Sequence, residues 1–314
     1  WRRTTFEEYA KADPAWETVL DLDALAAAEH ENWVWNGANC LYPDADRCLL
    51  QLSRGGGDAV VIREFDLVTK AFVADGFATP EAKTDITWAG RDRVYVASDF
   101  GPGSLTDSGY PRTVREWRRG TPLAEAVEVF AGEQTDVAVG AAVSDSGGHH
   151  HEMIRRSTTF YSGEHWLKVD GRFRLLDLPD DAQAGFWRDQ LMVELRSDWA
   201  IGSTVHPGGA LLAIGVAAFL AGKRDFATLY SPGPRKSLSG VAELRSALIV
   251  NVGSSENDQD KGGGALGPLW IALMAWAVSG TSSHPMIQRF VGACQKTLGS
   301  RNSVEPMSMM GLPA

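Results

Sequence analysis

The sequence predicts an all-β protein built as a partial β-propeller, with a short helical N-terminal segment. Three observations carry that expectation. From Asn32 onward, short runs rich in Val, Leu, Phe, Trp and Tyr alternate with clusters of Gly, Asp, Pro and Ser, the pattern of strands separated by turns. Leu49, Val94, Val137, Met192 and Ala247, each taken as the apolar marker of a strand group, stand 45, 43, 55 and 55 residues apart. Periods of about 40 to 50 residues, each holding three or four strands, suit propeller blades better than a sandwich. The third observation is a repeated string: Ile62-Arg63-Glu64-Phe65 returns 52 positions later as Val114-Arg115-Glu116-Trp117, as one blade strand used twice would.

Taken in order, the first 30 residues place Phe6, Tyr9 and Ala10 at helical spacing, and Asp13-Pro14 then breaks the helix before a turn carrying Trp16, Val19 and Leu20. Strands are expected at 33–35, 48–53, 59–66, 70–73, 85–88, 93–98, 112–118, 126–130, 136–143, 153–161, 165–169, 173–178, 191–196, 226–230 and 245–251. The stretch 210–220, ALLAIGVAAFL, stays open between helix and strand. A blade is covered on both faces, so its inner strands should be apolar on both sides, as Val60-Val61-Ile62 is. The Arg63/Phe65 and Glu64/Asp66 pairs that follow fall on opposite faces, which places the charged half nearer a rim and leaves Phe65 and Trp117 to pack between sheets.

The domain reading is a helical segment over 1–30, blades over 31–251 and an atypical tail over 252–314. Residues 251–314 hold five of the seven methionines, no tyrosine, and four acidic against four basic residues, whereas the first 250 carry 26 basic and 36 acidic ones. The stretch 253–264 reads as a linker and 287–298 as an amphipathic helix. The tail is expected to be frame-shifted, or a disordered or helical appendage.

A net charge of −10 offers nothing to neutralise a phosphate backbone, which argues against nucleic acid and anionic membrane as partners. The longest apolar run, 266–278, has 13 residues and contains Gly267 and Pro268, too few to span a bilayer. The N-terminus has charge without an apolar run behind it. Three cysteines form no CxxC, and Cys40 and Cys48 are read as two small buried apolar residues rather than a bridge. A reducing, cytoplasmic compartment is therefore expected.

The strings WETVLDLDALAAAEHENWVW, DRCLLQLSRGGGDAVVIREFDLVTKAFV, GFATPEAKTDITWAGRDRVYVASDFGPGSLTDSGYPRTVREWRRG and LMVELRSDW followed by GGALLA, in this order and spacing, carry a resemblance. Over residues 1–251 the chain resembles the N-terminal propeller of the prolyl oligopeptidase family of serine peptidases. The resemblance implies a seven-bladed propeller set over an α/β-hydrolase domain and restricting access to its Ser, Asp and His. It implies that this chain holds the N-terminal segment and four to five blades. The partners it implies are the α/β-hydrolase domain, absent from this chain, and an oligopeptide substrate. It also places Glu81 and Lys83 near where the propeller faces the catalytic domain. Arg112 ends the long Gly-rich loop 99–112, which reads equally as a functional loop and as a Pro-bounded surface excursion. Glu81, Lys83 and Arg112 are the substrate-facing candidates.

The residues themselves supply no catalyst. A nucleophile elbow needs Gly-x-Ser-x-Gly, because small flanking residues permit the strained turn that exposes the serine, and no such pentapeptide occurs. No catalytic residue is assigned, and the chain alone is expected to be inactive. His149-His150-His151, beside Ser146-Gly147-Gly148, reads as a solvated loop rather than a metal site. Gly55-Gly56-Gly57-Asp58 precedes a strand and lacks the Lys of a phosphate loop, so it reads as a hairpin turn. Asp21/Asp23 and Glu125/Glu128 read as solvated charge rather than a glycosidase pair. Neither cofactor nor metal is expected. The rival readings are a stand-alone closed propeller that binds a protein or small ligand in its channel, and a carbohydrate-active propeller.

Overall fold

The computed structural model describes residues 1–232. In chain order the elements are β1 (Arg2–Arg3), α1 (Phe6–Tyr9), β2 (Glu17–Thr18), α2 (Leu22–Glu29), β3 (Trp33–Cys40), β4 (Arg47–Arg54), β5 (Val61–Asp66), β6 (Ala71–Phe72), β7 (Asp85–Gly90), β8 (Arg93–Ala97) and β9 (Thr113–Arg118). A 3-10 turn, Leu123–Glu125, leads to β10 (Val127–Ala131), β11 (Ala138–Ser146), β12 (His149–Ser157), β13 (Gly163–Val169), β14 (Arg172–Leu175), β15 (Gln183–Trp187) and β16 (Gln190–Glu194). The described chain ends with β17 (Trp199–Ile201), β18 (Thr204–His206), β19 (Leu211–Gly215), α3 (Val216–Leu220) and β20 (Ala227–Tyr230). The expected strand at 245–251 and the tail from 252 lie outside the described residues.

Four antiparallel four-stranded sheets result, ordered β3-β4-β5-β6, β7-β8-β9-β10, β11-β12-β13-β14 and β15-β16-β19-β20. Each is an up-and-down meander, the last interrupted by the β17–β18 hairpin. This is the architecture of propeller blades, and the described sheets do not close into a ring. First strands adjoin first strands: Trp88 Nε1 on β7 donates to Asn39 O on β3 at 2.9 Å, and Ser144 Oγ on β11 donates to Phe186 O on β15 at 3.2 Å.

The sheets are held by three apolar layers. Leu49 and Ile62 of the first sheet meet Trp88, Val96 and Trp117 of the second, with Phe77 of the connection wedged between them. Tyr95 and Val114 meet Val139 and Ile154. Met153 and Leu167 meet Phe186, Leu191 and Leu212. The other face of the first sheet, Cys48, Leu50 and Phe65, is covered by Val19 and Leu20 of the N-terminal segment.

The repeated string occupies equivalent places, β5 and β9, the third strand of each sheet. Phe65 and Trp117 are buried between layers as expected. The rim placement of the charged half is corrected for Glu64, which is only 2% exposed. It faces the second sheet, accepts from Phe77 N–H at 2.9 Å, and takes a bidentate pair from Arg119 at 2.9 and 3.0 Å. Gly76 makes room for it: a Cβ there would stand 2.9 Å from Glu64 Oε2. Glu116 likewise faces the next sheet, toward Lys168 at 3.8 Å, while Arg93 of its own sheet binds it at 3.0 Å.

Glu152 completes this second junction. It is bound by Arg93, by Lys168 at 2.7 Å, by Tyr95 Oη–H at 2.5 Å and by His150 Nε2 at 3.0 Å. Burial works against its charge, but the hydrogen bonds outweigh burial and hold the carboxyl down at about 2.

Other expectations are corrected. Cys40 and Cys48 sit directly opposite each other on β3 and β4 and form a disulfide, so they are not two separate buried thiols. A separation of eight residues leaves that open, whereas cross-strand pairing brings the two sulfurs together. Cysteine usage therefore no longer supports a reducing compartment. The three histidines are not a loop: the turn falls at Gly147 and Gly148, and His149 opens β12. The ambiguous 210–220 stretch divides into β19 and α3. Val137 precedes a first strand, whereas Leu49, Val94 and Met192 lie on second strands. Asp21 caps α2 by accepting from Ala24 N–H at 3.1 Å.

Two predictions follow from the buried charges. Glu64→Gln removes the buried bidentate partner of Arg119, which keeps Asp92 at 2.9 Å, and should destabilise the chain by about 2 kcal/mol in urea unfolding at neutral pH. His165 is 3% exposed, and burial, with Arg155 nearby, lowers it from 6.5 to about 4. A lowered histidine favours the fold fully above its unfolded pKa and loses that contribution as pH falls from about 6.5 toward 4, by about 3 kcal/mol. His165→Gln should flatten the urea midpoint across this window.

Candidate functional site

Strand direction sorts the loops onto two faces. Trp33 opens β3 opposite Arg54, which ends β4. Asp85 opens β7 opposite Ala97, which ends β8. Each sheet thus begins at the edge where its second strand turns into its third, and its fourth strand returns to that same edge. All connections from one sheet to the next, together with the 55–60, 98–112, 158–162 and 195–210 segments, therefore share one face. Contacts agree: Asp107 N–H donates to Gln134 O at 2.8 Å, and Gly163 N–H to Asp180 O at 2.7 Å. The opposite face carries the tight hairpins, including 146–148.

The expected site residues lie on this connection face. Glu81 accepts from Arg54 Nη1 at 2.8 Å, and the same guanidinium holds both oxygens of Glu31, at 2.9 and 2.8 Å, while standing over the Trp33 ring. Lys83 Nζ lies 4.0 Å from the centre of the Tyr110 ring and 3.9 Å from Asp58. Tyr110 Oη–H donates to Asp58 at 3.1 Å, a bond to a carboxylate that raises the phenol above its usual value. The segment before β7, the turn before β5 and the loop before β9 thus converge on one cation, one acceptor and one aromatic ring. Such a group can hydrogen-bond and stack; it contains no nucleophile paired with a base.

Arg112 stands apart from this group. Its Nε donates to Gly103 O and its Nη1 to Gly132 O, both at 2.8 Å. Ser104 and Thr106 are buried, and Thr106 and Ser108 hydroxyls both donate to Val137 O, at 3.1 and 2.7 Å. The 99–112 loop is therefore a braced structure, with Arg112 as its clamp.

Sequence reasoning missed three features here. Asp58 and Tyr110 were read as parts of a turn and a loop, and only tertiary contact joins them. Asp85, the exposed first residue of β7, accepts from Ala141 N–H at 3.2 Å and so ties the second sheet to the third. Phe160 and Tyr161 project from the connection face, 85% and 74% exposed, on a turn fixed by Thr159 Oγ1 and Ser162. The string Thr-Thr-Phe-Tyr-Ser, two aromatics inside a polar turn, is the signal that marks them. Among the described residues no group of three His, Cys, Asp or Glu is placed to hold a metal ion.

Residues 1–165, more than half the chain, match the family described as prolyl oligopeptidase, N-terminal beta-propeller domain. The chain belongs to the prolyl oligopeptidase family. An uncharacterized peptidase of Sinorhizobium fredii, y4nA, is 35% identical over 290 residues, covering 87% of this chain and 40% of its own length. Another from Rickettsia prowazekii, RP174, is 28% identical over 244 residues, covering 73% of this chain and 34% of its own. Among solved structures, a post-proline cleaving enzyme from Rickettsia typhi superposes with a TM-score of 0.68 at 27% identity, over 74% of this chain and 36% of that one. This prolyl oligopeptidase-family chain thus spans about two fifths of the first of these relatives and about a third of the other two. Among its described residues no helix is long and apolar enough to cross a membrane.

Arg112→Ala removes the clamp without touching Lys83. Amide exchange across 99–112 should accelerate at least tenfold, with the second sheet's strands unchanged, read by hydrogen exchange and mass spectrometry.

Proposed function

We propose that this chain is the gating propeller portion of a prolyl oligopeptidase-family serine peptidase, whose peptide hydrolysis resides in a separate α/β-hydrolase domain. Family membership supports the parent activity. The single observation that supports the gating role is topological: α2 feeds β3 from the connection face, and each fourth strand returns there. A domain joined covalently to the propeller at either end meets that face first. It is also the face that carries Glu81, Lys83, Asp58 and Tyr110.

In this reading the Lys83 ammonium and the Asp58 carboxylate offer a peptide chain one donor and one acceptor, and Tyr110 offers a flat apolar surface. Arg112 acts by bracing the loop that carries Tyr110. Acyl transfer itself requires a serine, a general base and an oxyanion hole supplied by the hydrolase. The chain purified alone should not turn over a chromogenic prolyl substrate, and residual turnover should fall in proportion as purification proceeds. Turnover that tracks the purified chain at constant specific activity would overturn this reading.

A further inference from the structure

The hairpin end of the junction between the second and third sheets holds a cluster of charge that the proposed function does not use. Strand alternation divides the three consecutive histidines of β12 between two faces. His149 and His151 turn toward the fourth sheet, where the His151 ring stacks on Phe186 at 4.5 Å and its Nε2 meets Arg188 O at 2.8 Å. His150 turns toward the second sheet, and both of its ring nitrogens meet carboxylates: Nδ1 stands 2.6 Å from Asp145 on β11 and Nε2 3.0 Å from Glu152 on β12. A neutral imidazole carries one N–H and an imidazolium two, so only the protonated ring donates to both. The Glu152 oxygen that faces His150 is the one that Arg93 of β8 grips, and the other takes Tyr95 Oη–H of β8 at 2.5 Å and Lys168 of β13 at 2.7 Å. Glu116 on β9 lies 3.0 Å from Arg93 and 3.8 Å from Lys168, with exposed Arg118 on its other oxygen at 3.3 Å. The β7–β8 turn sends its charges the other way, Arg91 to Asp44 and Asp46, and Asp92 to Arg119. Arg93 and Lys168 therefore face one more carboxylate than they balance among Glu116, Glu152 and Asp145, and a protonated His150 supplies the missing charge.

We propose that His150 is a proton-operated latch: as imidazolium it pins Glu152 where Arg93 and Tyr95 of the second sheet grip it, and on losing its proton it loosens the hairpin end of this junction. Whichever nitrogen of the neutral ring keeps its hydrogen, the other sets a lone pair against a carboxylate, Glu152 in one tautomer and Asp145 in the other. The His150 side chain is 43% exposed, so the proton passes directly to water. Burial opposes the charge on the ring, but the bonds to Glu152 and Asp145 outweigh burial and raise it above its ordinary 6.5. Glu152 is held at about 2, while Tyr95 is raised by burial and by Glu152, and Lys168 is raised by Glu152 against burial. None of these three changes charge between about pH 6 and about pH 9. A raised histidine favours the closed junction fully below about pH 6.5 and loses that contribution as pH climbs through its folded value, the opposite sense to His165. The latch is independent of the proposed gating role.

Hydrogen exchange of the full chain, read by mass spectrometry and corrected for the intrinsic effect of pH, tests the latch. Protection across 143–153 should fall about fivefold between about pH 6 and about pH 9. His150→Gln has no proton to lose and should abolish that dependence, whereas His151→Gln, on the opposite face, should keep it. Dependence that persists in His150→Gln, or disappears in His151→Gln, overturns the latch. The wild-type chain gives a second measurement: the His150 Cε1 signal in carbon-13 NMR should titrate with its midpoint above about 6.5. A midpoint at or below that value overturns the proposal even where the variants fail to fold.

Discussion

A four-stranded antiparallel sheet with apolar side chains on both faces is stable only when it is enclosed on both sides, and this constraint governs the whole chain. Leu49 faces the second sheet and Leu50 the N-terminal segment, each fully buried from adjacent positions on one strand. Every sheet therefore needs two neighbours, and stacking around an axis provides them without leaving a hydrogen-bonding edge in the core. The four sheets, the wedge of Phe77 between two of them and the covering by Val19 and Leu20 are consequences of that requirement.

Charges enter these layers where they also fix register. Glu64 draws Arg119 across the first junction, and Glu152, held by Lys168 and His150 of its own sheet, draws Arg93 and Tyr95 across the second. Apolar contact alone tolerates sliding of one sheet over another, whereas a bidentate carboxylate with a backbone donor does not. Buried pairs of this kind contribute specificity more than net stability, because desolvation offsets much of their attraction. Fixed register in turn decides which loops meet on the connection face, so the Asp58–Lys83–Tyr110 group depends on ion pairs lying between the sheets beneath it.

The two faces of the blades consequently differ in chemistry. Tight turns on the hairpin face are closed by local pairs such as Arg174 with Asp170 and tied from sheet to sheet by pairs such as Arg91 with Asp46. Loops on the connection face are longer, braced by clamps such as Arg112, and present aromatic side chains at Tyr110, Phe160 and Tyr161. Long braced loops on one rim of a rigid scaffold are where binding surfaces are usually built.

Much of this was legible in the sequence. Strand existence follows from alternating apolar runs and turn residues, and the 52-residue return of hydrophobic-Arg-Glu-aromatic located the third strand of two blades, because a side-chain pattern repeats when its environment repeats. Turns at Gly55 to Gly57 and the split character of 210–220 were visible for the same local reasons. What depends on partners distant in the chain was not. A glutamate at the centre of a strand reads as a rim residue until Arg119, 55 positions away, is placed against it. Cys40 and Cys48 read as separate thiols until register sets them opposite each other, and that Arg112 braces its loop by holding two backbone carbonyls is visible only in the tertiary contacts. Amino-acid order alone determined how often a sheet forms and which residues lie on its apolar faces, since those are properties of short stretches. Only the tertiary structure decided which charges meet between sheets and which side chains gather on the connection face, since those depend on how one sheet is rotated and shifted against the next.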